Sequence, residues 1–342
     1  GVRAMPSIDI SAANLVVSFN EDFLSSGTPQ QVASDYASRR KPGKGMLRHI
    51  QIESNLSLTG SNADKRIKIK PSQVGLSLSY LLNKVSGSNH TVGKIDKVFK
   101  SQLDSIAKEL MSSNGKSVVL VGGNSGANAY LSAALNAALK NIGTTIRPDK
   151  PIYLRSGNDR AFENAITDMN AGSVGVVIVA GPNPVYNRVG FDYALKNVNY
   201  SLSLNDRFDE TAGATTAAAP VPHYLESWAD YIPTNLDFSV SQPVIRPLFN
   251  SKPTIEVLSE LLEKNKSAKD LVKESVLAQG LNWSQTLHDG GASLKIDARI
   301  PSFMEISERA LAGVEIAVET AGAVDSGAME LSLYQKTVGA GY

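Results

Sequence analysis

The chain has 342 residues, of which 42% are apolar and 20% charged, and a formal net charge of +1. That length exceeds the size at which one hydrophobic core usually stops growing, and the composition is that of a globular protein, so two lobes are expected and general disorder is excluded. The small net charge provides no field that would argue for nucleic acid or an acidic membrane surface. The lack of cysteine removes disulfides, thiolate zinc or iron-sulfur ligation and cysteine nucleophiles from this segment.

Residues 14–19 (NLVVSF) read as a short strand. Thr28-Pro29-Gln30-Gln31 then reads as an N-cap, a first-turn proline and a capping-box glutamine. The helix it opens has Val32 and Tyr36 on one face and an expected end near Gly43. Residues 46–53 form a second strand. In 64–70 (DKRIKIK) Ile67 and Ile69 alternate with Arg66, Lys68 and Lys70, which predicts an edge strand with one wet face. Pro71 opens a helix carrying Val74, Leu78, Leu81 and Val85 at helical spacing, and Phe99, Leu103, Ile106 and Leu110 mark another. Residues 118–121 are the next strand, followed by the turn GGNSGAN and a small-residue helix through Leu131, Leu135 and Leu139 that Gly143 stops. A strand at 151–154 and a helix around Phe162, Ile166 and Met169 continue the alternation.

Residues 174–180 are the most apolar β-branched run of the chain and are followed by Gly181-Pro182-Asn183-Pro184. This pattern predicts a central strand covered on both faces. Because open α/β sheets place ligands beyond the carboxyl ends of such strands, the turn from Gly181 to Pro184 is the first candidate site. YSLSL at 200–204 is a further strand. After Pro220 the aromatic-rich segment to Phe249 reads as irregular cover. Pro253 opens a helix with Glu256 near its positive end and Lys264 and Lys266 near its negative end. Residues 292–297 and 315–320 read as strands, and 329–338 as a last strand-like stretch. The fold class expected is α/β, with doubly wound, mostly parallel sheets in two lobes and an incomplete β-rich C-terminal part. Its divisions are 1–170 for the first lobe, 171–270 for the second lobe with its aromatic cover, and 271–342 for the β-rich segment. The ends, GVRAMP and KTVGAGY, lead us to expect a segment of a longer polypeptide that does not fold alone. No apolar run approaches the roughly 20 residues of a spanning helix and no signal-peptide pattern opens the chain, so membrane association is expected through partners.

The chemical motifs are few. G-x-G-x-x-G would need glycine where Val121 stands, and no acidic residue ends the next strand, so the turn after Val121 does not read as a dinucleotide site. Gly115-Lys116-Ser117 imitates the end of a phosphate loop, but it precedes a strand and has Leu110 where the first glycine is needed. Gly123-Asn124-Ser125-Gly126-Ala127 lies in the strand-turn-helix context of a nucleophile elbow, with Asp206 or Asp230 and then His288 in hydrolase order. Ala127 replaces the final glycine of that motif, and the alternative is that Ser125 hydrogen-bonds backbone in the turn. The four histidines, His49, His90, His223 and His288, show no metal-ligand spacing, His223 and Glu226 coming nearest. His223, Tyr224 and Trp228 are expected to pack an interface with Trp228 mostly buried. Arg39, Arg40, Lys41 and Lys44 have the charge to bind phosphate but read first as a solvated helix end.

The stretches GPNPVYN (181–187), NDRFDETAGATTAAAPVPHYLESWADY (205–231), QPVIRPL (242–248) and ALNAALKNIGTTI (134–146) resemble the molybdopterin oxidoreductase superfamily. More closely, VVSFNEDFL (16–24), HIQIESNLSLTGSNADKRIKIKPS (49–72) and HYLESWAD (223–230) resemble the large iron-sulfur subunits of alternative complex III, a bacterial quinol-oxidising respiratory assembly. The resemblance covers nearly the whole chain. Active members of the superfamily hold the pterin dinucleotide partly through Asp-Pro-Arg after the second strand and Pro-Gly-Thr-Asp after the edge strand. Those places read Ile52-Glu53-Ser54 and Pro71-Ser72-Gln73-Val74 here, without the glycine that lets backbone approach phosphate and with Glu53 adding negative charge.

The resemblance therefore implies a domain that keeps the fold and has no molybdenum cofactor, with no catalytic, cofactor-binding or metal-binding residue of its own. Neither pterin nor nucleotide is expected beside residues 52–54, 72–74 or 181–184. The implied role is a scaffold in a respiratory complex that passes electrons from quinol to cytochrome c or an oxidase. The implied partners are an iron-sulfur ferredoxin-like part of the same polypeptide with 4Fe-4S and 3Fe-4S clusters, a multihaem cytochrome c carrying haem c, and integral membrane subunits. They place the domain at the periplasmic face of the bacterial inner membrane; no nucleic acid is implied. Two other readings are an active molybdopterin-dependent oxidoreductase fragment and a serine hydrolase using Ser125.

Overall fold

The structure, a computed structural model, describes residues 5–25, 29–43, 45–90, 92–153, 157–234, 237–294, 303–323 and 328–332, the side chains of 303–310 excepted. The chain forms two compact units, one of Pro6–Pro151 with Asp297–Gln335 and the other mainly of Ile152–Ile296. Both are α/β.

Up to Ile152 the elements are β1 (Met5–Ile8), β2 (Leu15–Phe19), α1 (Gln30–Arg39), β3 (Arg48–Glu53), α2 (Leu58–Ser61), β4 (Lys65–Lys68), α3 (Gln73–Ser86), α4 (Lys97–Ser112), β5 (Ser117–Val121), α5 (Gly126–Ala138) and β6 (Ile146–Ile152). Four of the strands form a parallel sheet in the order β4-β3-β2-β5, with Phe19 opposite both Ile52 and Val121. β2 is buried along its whole length, as a central parallel strand should be. Side chains alternate between the two faces. Val17, Phe19, Ile50, Ile52 and Val119 pack with Leu78, Leu81, Leu103, Leu131 and Leu135. Val16, Val118 and Leu120 pack with Phe23, Val32 and Tyr36. β4 is the edge strand that its alternation predicts.

Local signals were less exact. α1 has Pro29 at its N-cap with no side-chain cap bond, and Gln31 Nε2 donates forward to Asp35 (2.6 Å) instead of back to the cap; Thr28 lies outside the described residues. The helix ends at Arg39, short of Gly43. α5 likewise stops before Gly143, because Lys140 already takes a left-handed φ of 55°. The strand expected at 151–154 is β6, five residues earlier in its start, and Leu154 lies outside the described residues.

The second unit contains α6 (Asp159–Asn170), β7 (Val176–Ala180), α7 (Pro184–Asn187), α8 (Phe191–Leu195), β8 (Tyr200–Asn205), α9 (Glu210–Ala214), β9 (Ala217–Pro220), β10 (Ala229–Thr234), β11 (Asp237–Ser241), α10 (Thr254–Leu261), α11 (Ala268–Ala278), α12 (Trp283–Asp289) and β12 (Gly291–Ser293). β7-β8-β9 are parallel, and β10-β11-β12 antiparallel. The central, doubly covered strand expected at 174–180 is instead the edge of the parallel sheet. Among the described residues only one of its faces is covered: Val179 packs with Met169, Phe191 and Leu195, whereas Val176 is 60% and Ile178 37% exposed. An apolar run buried on one face cannot be told from one buried on both by composition alone. Trp228 is largely though not fully buried, in line with the expectation. Its ring lies 5.9 Å from that of Trp283, and Lys269 Nζ is 5.7 Å from its centroid.

The chain then returns to the first unit with α13 (Phe303–Gly322), which replaces the strand expected at 315–320. Val314 and Ala317 are buried and Val318 is partly so, while Glu315, Ile316 and Glu319 are exposed, the spacing of a helix face. Residues 328–332 form no strand, and the rest of 329–338 lies outside the described residues. Beyond 290 the described β structure is β12 alone. α13 packs closely because its neighbours are small: a Cβ on Gly75 of α3 would lie 2.6 Å from Ala317 Cβ, and one on Gly313 would lie 3.0 Å from the Ala127 carbonyl. Gly75→Leu is therefore expected to destabilise the protein by roughly 1–3 kcal/mol in urea unfolding. A midpoint equal to wild type would mean that α3 and α13 are not in contact.

Candidate functional site

In the first unit the chain order reverses between β2 and β5, which is where an open α/β sheet opens its ligand crevice. Here the loops on either side are joined. Gly122 N donates to Phe19 O (2.8 Å), and a Cβ on Gly122 would overlap the Asn20 carbonyl. Asn20, at φ 52°, accepts from Ser54 N on Oδ1 (2.9 Å). Asp22 Oδ1 accepts from Thr59 N (2.9 Å) and Thr59 Oγ1 (2.6 Å). The carboxyl ends of β2, β3 and β5 are thus stitched to one another by their own polar groups.

Glu53, the last residue of β3, is buried. Its Oε1 accepts from Arg66 Nε (2.6 Å) and Ser57 N (3.2 Å), and its Oε2 from Ser57 Oγ (2.6 Å) and Gln51 Nε2 (3.2 Å). Burial opposes ionisation of this carboxyl, but the donors from Ser57 and Arg66 outweigh it and hold its pKa below the usual range. The bare negative charge expected at Glu53 is therefore a compensated one. Gly60 makes room for it, since any Cβ there would collide with the carboxylate.

His49, Gln51 and Glu53 share one face of β3, alternating with Ile50 and Ile52, and the five are buried. Gln51 Nε2 donates to Glu21 O and to Glu53, leaving Oε1 to accept from His49 Nε2 (3.2 Å). The Tyr36 hydroxyl, which donates to the Asn62 carbonyl (3.0 Å), lies 3.0 Å from the other ring nitrogen, His49 Nδ1. Burial pushes the His49 pKa from 6.5 down to about 4. The unfolded chain therefore takes up this proton first as pH falls. The stability contributed by neutral His49 is fully present above pH 6.5, is lost between 6.5 and about 4, and is absent below. The gap corresponds to roughly 3 kcal/mol. Urea titrations across that window should show this slope, and His49→Gln should flatten it. An unchanged slope in the variant would assign the acid sensitivity to other groups.

A second carboxylate occupies the start of α3. Glu330 accepts from Ser72 N on Oε2 (2.8 Å) and from Ser72 Oγ on Oε1 (2.9 Å), and Lys70 Nζ lies 3.9 Å from it. The backbone N–H that a phosphate would need at Ser72 is already taken.

The other sequence candidates are occupied structurally. Asn183, in the turn Gly181-Pro182-Asn183-Pro184, accepts from Thr211 Oγ1 (2.7 Å) and donates to Glu210 (2.6 Å). His223 and Glu226 form a capping box around one 3₁₀ turn. Arg40 forms a two-bond pair with Asp64 (2.8 and 2.9 Å), Arg39 donates to Ala13 O and Asn14, and Lys44 lies outside the described residues. Gly115 is a left-handed turn residue donating to Leu139 O. Ser125 caps α5, accepting from Asn128 N (3.3 Å). Asp206 pairs with Arg207, Asp230 accepts from Ser275, and His288 bonds Asp289. Ser125→Ala should cost about 1 kcal/mol through the lost cap, and a fluorophosphonate should not label wild-type protein; stoichiometric labelling of Ser125 would reinstate a nucleophile.

Two arrangements had no place in the sequence reading. The His49-Gln51-Glu53 file was visible as polar residues alternating with isoleucine in HIQIE. The Ser72–Glu330 bond spans 258 positions and has no sequence signal.

Among the described residues no cluster of three or more His, Asp or Glu is placed to hold a metal, and no helix is long and apolar enough to cross a membrane. No family model and no curated protein matches the sequence. Among solved structures, acetylene hydratase from Pelobacter acetylenicus superposes with a TM-score of 0.58 at 12% identity, over 86% of this chain and 54% of that one. The chain thus spans about half the length of the protein it matches. The formyltransferase/hydrolase complex from Methylorubrum extorquens, solved with methylofuran, gives a TM-score of 0.41 at 10% identity over 94% and 80% of the two chains, below the level that indicates a shared fold. The first likeness is one of architecture, and on it the chain shares the α/β fold of that hydratase.

Proposed function

We propose that this chain is a cofactor-less, molybdopterin-oxidoreductase-like scaffold domain of a quinol-oxidising respiratory complex of the alternative complex III type. The observation that supports it most is the state of the two places where the family resemblance puts pterin contacts. At 52–54 a buried carboxylate, Glu53, is held by Arg66 and Ser57. At 71–74 the Ser72 donors are filled by Glu330. A pterin dinucleotide brings a pyrophosphate, and two carboxylates with their donors already engaged do not fit one.

In this reading the segment contributes no catalytic residue, cofactor ligand or metal ligand. Its work is to dock an iron-sulfur part of the same polypeptide, a multihaem cytochrome c and integral membrane subunits at the periplasmic face of the inner membrane. Lacking cysteine, it leaves the clusters to the rest of the polypeptide. The test is metal and pterin analysis of the native assembly. Haem and iron-sulfur signals are expected without stoichiometric molybdenum or pterin. One molybdenum per polypeptide together with a pterin would overturn the proposal in favour of an active oxidoreductase fragment.

A further inference from the structure

An open cleft of about 450 Å³ in the first unit is lined by Lys68, Ile69, Lys70, Gln73, Lys94 and Phe99. It lies beside the sheet edge, since among the described residues β4 pairs with β3 alone. Lys68 and Lys70 stand two residues apart on the outward face of that strand and its exit, with Ile67 and Ile69 turned inward. Lys94 comes from the segment before α4. The cleft's own acid, Asp96, is engaged on Oδ1 by the N–H groups of Val98 (2.9 Å) and Phe99 (3.1 Å) as the cap of α4. Among the described residues no carboxylate lies within ion-pair distance of Lys68 or Lys94. Lys70 has only Glu330, at 3.9 Å. Positive charge therefore exceeds negative charge in the cleft.

That same Glu330 shows what the neighbourhood accepts. A carboxylate on a peptide, brought from far along the chain, seats against Ser72 beside Lys70. The apolar surface between the lysines is that of the partly buried Phe99, with the buried Ile69 next to it and Gln73 at one side. A bare inorganic anion would use the ammonium groups and leave that floor wet.

We propose that this cleft docks an extended acidic segment of a protein partner, with its carboxylates on Lys68 and Lys94 and an apolar side chain on Phe99. Lysines on an edge strand discourage pairing with a second copy of the same edge, and by the same charge they select an acidic partner. The inference stands on the cleft itself and holds whether or not a pterin binds elsewhere.

The experiment is fluorescence anisotropy of the full-length protein with a labelled synthetic peptide of alternating glutamate and leucine at low salt. Saturable binding is expected. It should weaken at least about tenfold in Lys68→Glu/Lys94→Glu and again in about 0.5 M salt, where exposed charges are screened. The glutamine counterpart of the peptide should not bind. These lysines are exposed, so circular dichroism should show the fold unchanged. Lys116→Glu, outside the cleft, is the control for net charge. Equal weakening by that control, or full binding by the double variant, would overturn the proposal. Displacement of the peptide by ATP at micromolar concentration would also overturn it, reassigning the cleft to a free phosphate ligand.

Discussion

A carboxylate withdrawn from water at the end of a parallel strand dictates much of what surrounds it. Glu53 is ionised and buried, and an unpaired charge in that position would cost several kcal/mol. The chain supplies Arg66 from β4, Ser57 from the turn before α2 and Gln51 from β3 itself, and it omits a side chain at Gly60. Each partner sets the position of an element. Arg66 fixes the register of the edge strand, Ser57 both binds Glu53 and caps α2, and Gln51 carries the polarity inward to His49. Replacing such a set by hydrophobic residues can be neutral, whereas removing one member strands a charge. Its contribution is thus more to register than to net stability.

The first parallel sheet was legible because its strands alternate or run apolar for the right length and its helices keep a clean 3.6-residue period. α3 and α4 follow from the spacing of Leu78, Leu81, Leu103 and Ile106, all buried in one cluster. α13 misled for a definable reason. Val314, Ile316 and Val318 alternate with Glu315 and Glu319 as in a strand, yet Val314, Ala317 and Val318 also make a helical face. Close packing against Gly75 and Ala127 decides between them, and neither residue is near in sequence. The position of β7 was illegible for another reason: an apolar run records that a strand is hydrophobic, not how many layers cover it.

The site was less legible than the fold. Switch-point reasoning applies where strand order reverses, and that reversal lies between β2 and β5, a fact of topology that no stretch of sequence declares. In the second unit β7, β8 and β9 follow one another in order, so the turn after β7 does not sit at a reversal in that sheet. Its polar residues serve the turn itself: Asn183 caps α7 and is bonded to Thr211 and Glu210. A strand followed by a Gly-Pro-Asn-Pro turn is therefore a structural solution here, and a shared architecture is not a shared activity.

The way in which the first unit occupies its own anion-attracting groups also matters. At the start of α3 stands a competitor, the Glu330 carboxylate. Glu330 belongs to the same polypeptide, so an incoming phosphate competes with a tethered carboxylate whose effective concentration is on the order of millimolar or higher. Lys70, the nearby cation, is shared with that carboxylate and adds little to the incoming ligand. At β3 the balance is similar, because Arg66 cannot serve a phosphate without leaving Glu53 uncompensated. Helix N-termini and cations attract anions by default, and this unit has satisfied that attraction from within. Among the described residues the attraction that remains uncompensated lies on Lys68 of the edge strand and on Lys94, neither of which has a carboxylate within ion-pair distance.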